Sequence, residues 1–261
     1  MEYEKYIQHI QDEDIRKTIK YFADSLFVVN KKGFNYDTDF FNPKEVEYAL
    51  DILNAFPRIQ YKVEGGFKNS ERSIIVLGKY MDEYIASSYL KLYKIENYGE
   101  DITHRDILGA VLNLGIDRKK IGDIGVYKNY SIIAVKDTVG KFINLNMTKI
   151  KNYNVFISEI EDYYDKNLKV PKEKTEIFFG TVSSLRLDSL ISEMINISRS
   201  SACNLISKGY VKVNFEKIYK ISQEVEEKSL ISIRGYGRFI LSELSGKSKK
   251  GRQKIIYEKI L

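Results

Sequence analysis

The chain has 261 residues, 43% of them apolar and 30% charged, with a net charge of +6 and one cysteine. That is enough for two or three globular units, each with its own core, but no run approaches the roughly 18 apolar residues of a membrane helix, and Met1-Glu2-Tyr3-Glu4-Lys5 lacks a basic-then-apolar leader, so a cytoplasmic protein with no membrane partner is expected. The lone Cys203 rules out an intrachain disulfide or thiolate cluster and is expected as a small buried residue.

In chain order, Ile15, Ile19, Phe22 and Leu26 recur every three or four residues behind Asp12-Glu13-Asp14, which predicts a helix with acids at its positive end. Asn42-Pro43-Lys44-Glu45 predicts a second helix: Asn42 caps, Pro43 fits the first helical position and Glu45 completes a capping box, before Val46, Ala49, Leu50 and Leu53 supply the buried stripe. Residues 1–58 are therefore expected to form an N-terminal helical segment. Over residues 59–165 short β-rich runs, Ser73 to Leu77 and Tyr130 to Val135, alternate with a helix from Ile102 to Leu114. The pattern predicts an α/β domain like a ferredoxin or an RNA-recognition motif, and an α+β chain as a whole. Tyr84, Tyr89 and Tyr93 could stack on bases, but the Lys/Arg-Gly-Phe signature is missing and packing roles are expected. Residues 166–180, charged and interrupted by Pro171, read as a linker to a final domain at 181–261.

The positive excess lies in that last domain. Residues 181–261 hold 15 Lys and Arg against 8 Asp and Glu, and the rest of the chain holds 27 against 28. A basic module on a neutral body implies a polyanionic partner. Leu187, Leu190, Ile191 and Met194 form one apolar helical stripe, which leaves Arg186 and Arg199 free for solvent or phosphate. Ser198 is placed to cap a second helix, with Arg199 and Ser200 in its first turn, where backbone amides attract an anion. Gly209 ends that helix. Val211 and Val213 then alternate with Lys212 and Asn214 along a strand, and Lys208, Lys217 and Lys220 extend the positive surface. A further strand pair, Leu230 to Arg234 and Arg238 to Leu241, turns at Gly235-Tyr236-Gly237 and adds two arginines.

Other motifs fail on inspection. His104-Arg105-Asp106 matches the catalytic triplet of protein kinases, but the asparagine due five residues after the aspartate is Val111; a Thr103/Asp106 capping box explains the segment, with Ile107, Leu108, Val111 and Leu114 packed and Gly115 ending the helix. Arg186-Leu187-Asp188 occurs in the pseudouridine-synthase signature, yet only 73 residues follow Asp188. That aspartate suits the first turn of a helix, where it can orient Arg186. His9, His104 and Cys203 assemble no zinc site or triad, Asp37-Thr38-Asp39 lacks the rest of a calcium loop, and no phosphate-binding glycine loop is present. No catalytic residue, cofactor or metal is expected. The alternative is an RNA-modifying enzyme using the C-terminal domain for delivery, marked by a pocket with perturbed protonation at His104, Asp106 or Asp123. A regulator of one messenger RNA is a third reading.

Two resemblances sharpen the expectation. From Ser183 to Leu241 the order Arg-Leu-Asp-x-x-Leu, Ser-Arg, Leu-Ile-x-x-Gly-x-Val-x-Val-Asn and a terminal hairpin resembles the S4 RNA-binding domain, departing from it at Phe215, where glycine is usual, and at Lys228-Ser229, where Gly-Asp is usual. Ile102 to Ile116 with Arg118 and Ile121-Gly122-Asp123-Ile124, and the ending Gly246-Lys247-Ser248-Lys249-Lys250-Gly251-Arg252, are similar to YlmH-type proteins. The resemblance implies an RNA-recognition-like central fold, a C-terminal S4 domain with a basic tail, and a bacterial cytoplasmic factor, not an enzyme, that binds the large ribosomal subunit carrying peptidyl-tRNA in rescue of stalled translation. Ribosomal and transfer RNA are then the partners, DNA is not, and a monomer is expected. The candidate contacts are Arg186, Ser198, Arg199, Ser200, Lys208, Lys212, Asn214, Lys217, Lys220, Arg234, Arg238, Lys247, Lys249, Lys250 and Arg252.

Overall fold

The computed structural model describes residues 4–81, 85–96, 101–161 and 167–261; Tyr84 and Lys166 lie outside the described residues. The chain is α+β, and it divides into two compact units, one of residues 1–6 and 18–171, the other of residues 7–17 and 172–261. Residues 1–58, expected as one N-terminal helical segment, are therefore shared between the two units.

Helix α1 is Glu4–Ile7, and α2, Glu13–Lys32, contains the boundary between the units. Asp12 starts α2 by accepting hydrogen bonds from the amides of Asp14 and Ile15 at 3.0 and 3.4 Å. In the first unit Ile19, Phe22 and Leu26 are buried, and Phe22 meets Phe41 edge to face with ring centroids 6.0 Å apart. Helix α3, Pro43–Leu53, carries the expected capping box between Asn42 and Glu45. Strands β1 (Tyr36–Asp37), β2 (Gln60–Glu64) and β3 (Ile74–Gly78) form an antiparallel sheet in the order β1-β3-β2.

The same unit holds a second sheet. Its elements run β4 (Leu90–Glu96), α4 (His104–Asn113), β5 (Ile121–Val126), β6 (Tyr130–Lys136), α5 (Asp137–Asn146), a small hairpin β7 (Lys149–Ile150) and β8 (Tyr153–Asn154), then β9 (Phe156–Glu159). The sheet is antiparallel in the order β5-β6-β4-β9, the β-α-β-β-α-β arrangement of ferredoxin-like folds. Both faces are covered. On one, Tyr93, Ile95, Ile133 and Val135 pack with Ile107, Val111 and Ile143 of the helices. On the other, Leu90, Leu92, Ile132 and Ala134 pack with Phe40, Phe67, Ile74 and Val76. Tyr93 is a core residue whose hydroxyl donates to Glu159, and Tyr89 packs against the second cluster. Gly122 is required here, since a Cβ would lie 2.4 Å from the Phe40 ring.

The second unit contains β10 (Thr175–Val182), α6 (Leu187–Met194), α7 (Arg199–Ser207), β11 (Val211–Val213), β12 (Glu216–Lys217), β13 (Leu230–Ile233), β14 (Gly237–Lys247) and β15 (Gln253–Ile260). These strands make one antiparallel sheet in the order β10-β15-β14-β13-β11-β12. Two expectations change. Residues 175–180 of the expected linker are strand, because Thr175 to Val182 pairs along the whole of β15. Nor is the C-terminal end a basic tail: β14 runs on to Lys247 and β15 returns beside it, burying Ile255 and Tyr257 in the core. That core is closed by the predicted stripe Leu187, Leu190, Ile191 and Met194, joined by Ala202, Ile206, Val211, Ile231, Phe239 and Leu241.

Candidate nucleic-acid interface

Helices α6 and α7 carry the two arginines singled out by the sequence. Burial of the Leu187-Leu190-Ile191-Met194 stripe fixes the roll of α6, which places Arg186 at its N-cap and Asp188 in its first turn. Ser198 caps α7 by accepting from the Ser201 amide at 3.1 Å, so Arg199 occupies the first helical position. Gly209, at φ +68°, ends α7, with Gly209 N–H donating to the Ile206 carbonyl and Tyr210 N–H to that of Leu205, a Schellman closure.

The guanidinium groups are not free, which corrects the sequence reading. Both bind Asp188: Arg186 Nε and Nη2 donate to its two oxygens at 3.1 and 3.4 Å, and Arg199 Nη2 donates at 2.5 Å. The carboxylate is almost wholly enclosed, at 3% exposure, whereas the arginine side chains are 40% and 52% exposed. Burial alone pushes the Asp188 carboxyl up, but the hydrogen bonds from Arg186 and Arg199 outweigh it and hold it below the ordinary carboxylate value. Asp188 thus orients both cations, not Arg186 alone. The trio keeps one net positive charge, and guanidinium N–H donors not spent on Asp188 face solvent from two neighbouring helix starts.

The other candidates fall into distinct settings. Ser198 is spent as the cap, while Ser200 and Lys208 are exposed at either end of α7. Lys212 lies across the ladder from Lys217 on one side and Ser232 on the other. Lys217 is engaged within its own unit: its Nζ binds Asp14 at 2.6 Å and its backbone amide donates to Asp12 at 2.9 Å, beside the edge strand β12. Asn214 is a turn residue, since its Oδ1 accepts from the Leu230 amide at 2.9 Å. Lys220 is exposed. Arg234 sits over the Tyr210 ring at 4.9 Å, and Arg238 over the Phe215 ring at 5.7 Å. Lys247, Lys249, Lys250 and Arg252 gather at the exposed β14–β15 turn, where Arg252 donates to the Thr181 carbonyl at 2.5 Å. Cys203, expected buried, is partly exposed.

The aromatic partners Tyr210 and Phe215 escaped the sequence reading. Tyr210 lies just before β11 and Arg234 just after β13, so pairing of those strands, with Arg234 N–H donating to the Tyr210 carbonyl, brings them together. Only the register reveals this. Both departures from the S4 pattern retain a glycine-type backbone: Phe215 has φ +73° and Lys228 φ +67°. With Asn214 at φ +47°, Asn214-Phe215 makes the two-residue turn of the β11–β12 hairpin, in which both positions need positive φ.

Of the three groups that would mark an enzyme, Asp106 and Asp123 accept hydrogen bonds from backbone amides. Thr103 and Asp106 form the expected capping box, and hydrogen bonds from Thr103 hold the Asp106 carboxyl down to about 2, so it has no proton to donate near neutrality. Asp123, whose carboxyl is raised by burial, accepts from the amides of Glu71 and Arg72 at 2.6 and 3.3 Å. His104 lies exposed in the first turn of α4. Among the described residues no three His, Cys, Asp or Glu side chains are grouped to hold a metal.

Comparison with known proteins gives three likenesses. The family described as "Putative RNA-binding domain in YlmH" matches residues 90–163, the span from β4 through β9. Ribosome-associated protein quality control protein P2 from Bacillus subtilis (strain 168) is 29% identical over 225 residues, covering 85% of this chain and 86% of that protein. A solved structure, cell division protein ylmH from Streptococcus pneumoniae, shares the fold with a TM-score of 0.51 at 22% identity, over 60% of this chain and 96% of that one. By these matches and by its α+β architecture, the chain is similar to YlmH-type proteins.

Proposed function

We propose that the chain is a non-enzymatic RNA-binding factor that works on the ribosome, in the cytoplasm and as a monomer, with residues 181–261 acting as an S4-type domain. The observation that carries this reading is the Arg186–Asp188–Arg199 cluster, in which one enclosed carboxylate presents two partly exposed guanidinium groups from adjacent helix starts. Such a surface suits the phosphates of folded RNA, where shape and backbone charge are recognised. The Tyr210–Arg234 and Phe215–Arg238 pairs add faces on which an unpaired base can stack. The Bacillus subtilis relative, whose name places it in ribosome-associated quality control, supports the ribosome as the setting. On this reading the partners are ribosomal and transfer RNA on a large subunit carrying peptidyl-tRNA.

Co-sedimentation with large ribosomal subunits tests it. Arg199→Glu and Arg186→Glu, folded by circular dichroism, should be lost from the pellet, and unchanged pelleting of both rejects the site. With about 4 to 6 phosphate contacts, log affinity for a structured RNA should fall against log salt with a slope of about −3 to −5. Crosslinked RNA dominated by one messenger would favour the regulator instead.

A further inference from the structure

We infer that the central domain binds RNA backbone in a cleft between α4 and the turn joining α5 to β7, and not on its sheet. The inference rests on the RNA-binding reading above and assigns the central domain its own part in it. In an RNA-recognition motif the open face of the four-stranded sheet carries the aromatic side chains on which bases stack. Here that face is closed by Phe40, Phe67, Ile74 and Val76, and the other face by the helices, so neither is accessible to a nucleotide.

The cleft has what the sheet lacks. It is open to solvent, has a volume of about 570 Å³, and is lined by Arg105, Asn113, Asn146, Lys149 and Lys151 around Gly109. Of its three cations, Lys151 is held by Asp106 at 3.0 Å and by Asp101 at 3.2 Å, and Asp106, the one lining carboxylate, is also engaged by the Thr103 cap. Among the described residues Arg105 and Lys149 have no ion pair or side-chain hydrogen bond, and both are exposed. Asn146 spends its amide N–H on the Phe142 carbonyl at 2.8 Å, leaving its oxygen available, and Asn113 adds a further amide. Unpaired cations beside neutral donors and acceptors match a ribose-phosphate chain better than a small apolar ligand, whose sites are mostly apolar.

Gly109 supplies an independent indication. It lies inside α4, where glycine weakens a helix relative to alanine, yet a Cβ built there meets nothing within 4 Å. Nothing inside the protein requires the missing side chain. Bare helix backbone on the floor of a basic cleft is what close approach by a ligand chain requires.

The test uses the full-length chain and a fluorescently labelled RNA hairpin, with affinity followed by anisotropy over a series of salt concentrations. Arg105→Gln/Lys149→Gln should weaken binding about tenfold and flatten the salt slope by about 1.4 to 1.8, the loss of two phosphate contacts. Gly109→Ala should raise the melting temperature while weakening binding, a combination that unfolding cannot produce. Parental affinity in both variants, while Arg199→Glu abolishes binding, overturns the cleft and leaves the C-terminal site standing. If the parent protein itself binds neither the hairpin nor large subunits, the RNA-binding reading falls and takes the cleft with it. Equal weakening toward heparin and the hairpin overturns the RNA assignment in favour of a general polyanion surface.

Discussion

Replacing Asp188 with Asn separates two roles its carboxylate could have, because it removes the charge and keeps the volume. In the parent, three guanidinium N–H groups converge on the two Asp188 oxygens. An asparagine amide would turn donors toward donors. Hydrogen bonds to a charged group contribute about 1.5–3 kcal/mol each when enclosed, but Arg186 and Arg199 are 40% and 52% exposed and solvent screens them. The expected loss of stability is therefore about 1–3 kcal/mol, a fall in melting temperature of roughly 4–8 °C per kcal/mol for a small domain. RNA affinity discriminates more sharply between the two roles. The variant gains one positive charge, which by itself would strengthen phosphate binding a few-fold, whereas losing the fixed geometry of two arginines costs about 1–2 kcal/mol, roughly a tenfold loss. Asp188→Asn should therefore bind a labelled structured RNA more weakly than the parent at equal salt, in an anisotropy titration well below its melting temperature. Binding as tight as the parent, or tighter, would refute the orienting role and make Asp188 a neutralising group only.

Three further outcomes are expected. Lys217→Ala should leave RNA affinity unchanged, because its ammonium is committed to Asp14, and should lower stability by no more than about 1 kcal/mol in thermal unfolding. Phe215→Gly should be more stable than Phe215→Ala by about 1 kcal/mol, the reverse of the usual order, since only glycine relieves a φ of +73°, and denaturant titration of the two variants decides it. The Asp106 carboxyl, held down to about 2 by Thr103, contributes stability that is complete above its ordinary value near 4 and is lost as pH falls through about 2; Asp106→Asn should remove that part of the acid-unfolding slope.

Distance along the chain separates the features legible in the sequence from those that were not. Asn42/Glu45, Thr103/Asp106, Ser198 and Gly209 were legible because a cap is made within one turn of chain and needs no knowledge of the rest. The stripe of α6 was legible for the same reason: its period is set by helix geometry, and each of its four residues is buried. The pairing of Lys217 is not legible because its partners, Asp12 and Asp14, lie some two hundred positions earlier. The basic tail was misread because a strand such as β15 is recognisable only through its neighbours β10 and β14.

The sequence by itself determined helices α2, α3, α4, α6 and α7, the caps at Asn42, Thr103 and Ser198, and the concentration of positive charge in the last third, since all of these depend on local chain geometry or on composition alone; α5, which has no side-chain cap, carried no such signal. Only the tertiary structure decided that one carboxylate would gather Arg186 and Arg199, that strand register would set Arg234 on Tyr210, and that the central sheet would be closed on both faces. Those outcomes depend on which distant surfaces bury one another, and the free energy that selects them belongs to the packed core as a whole.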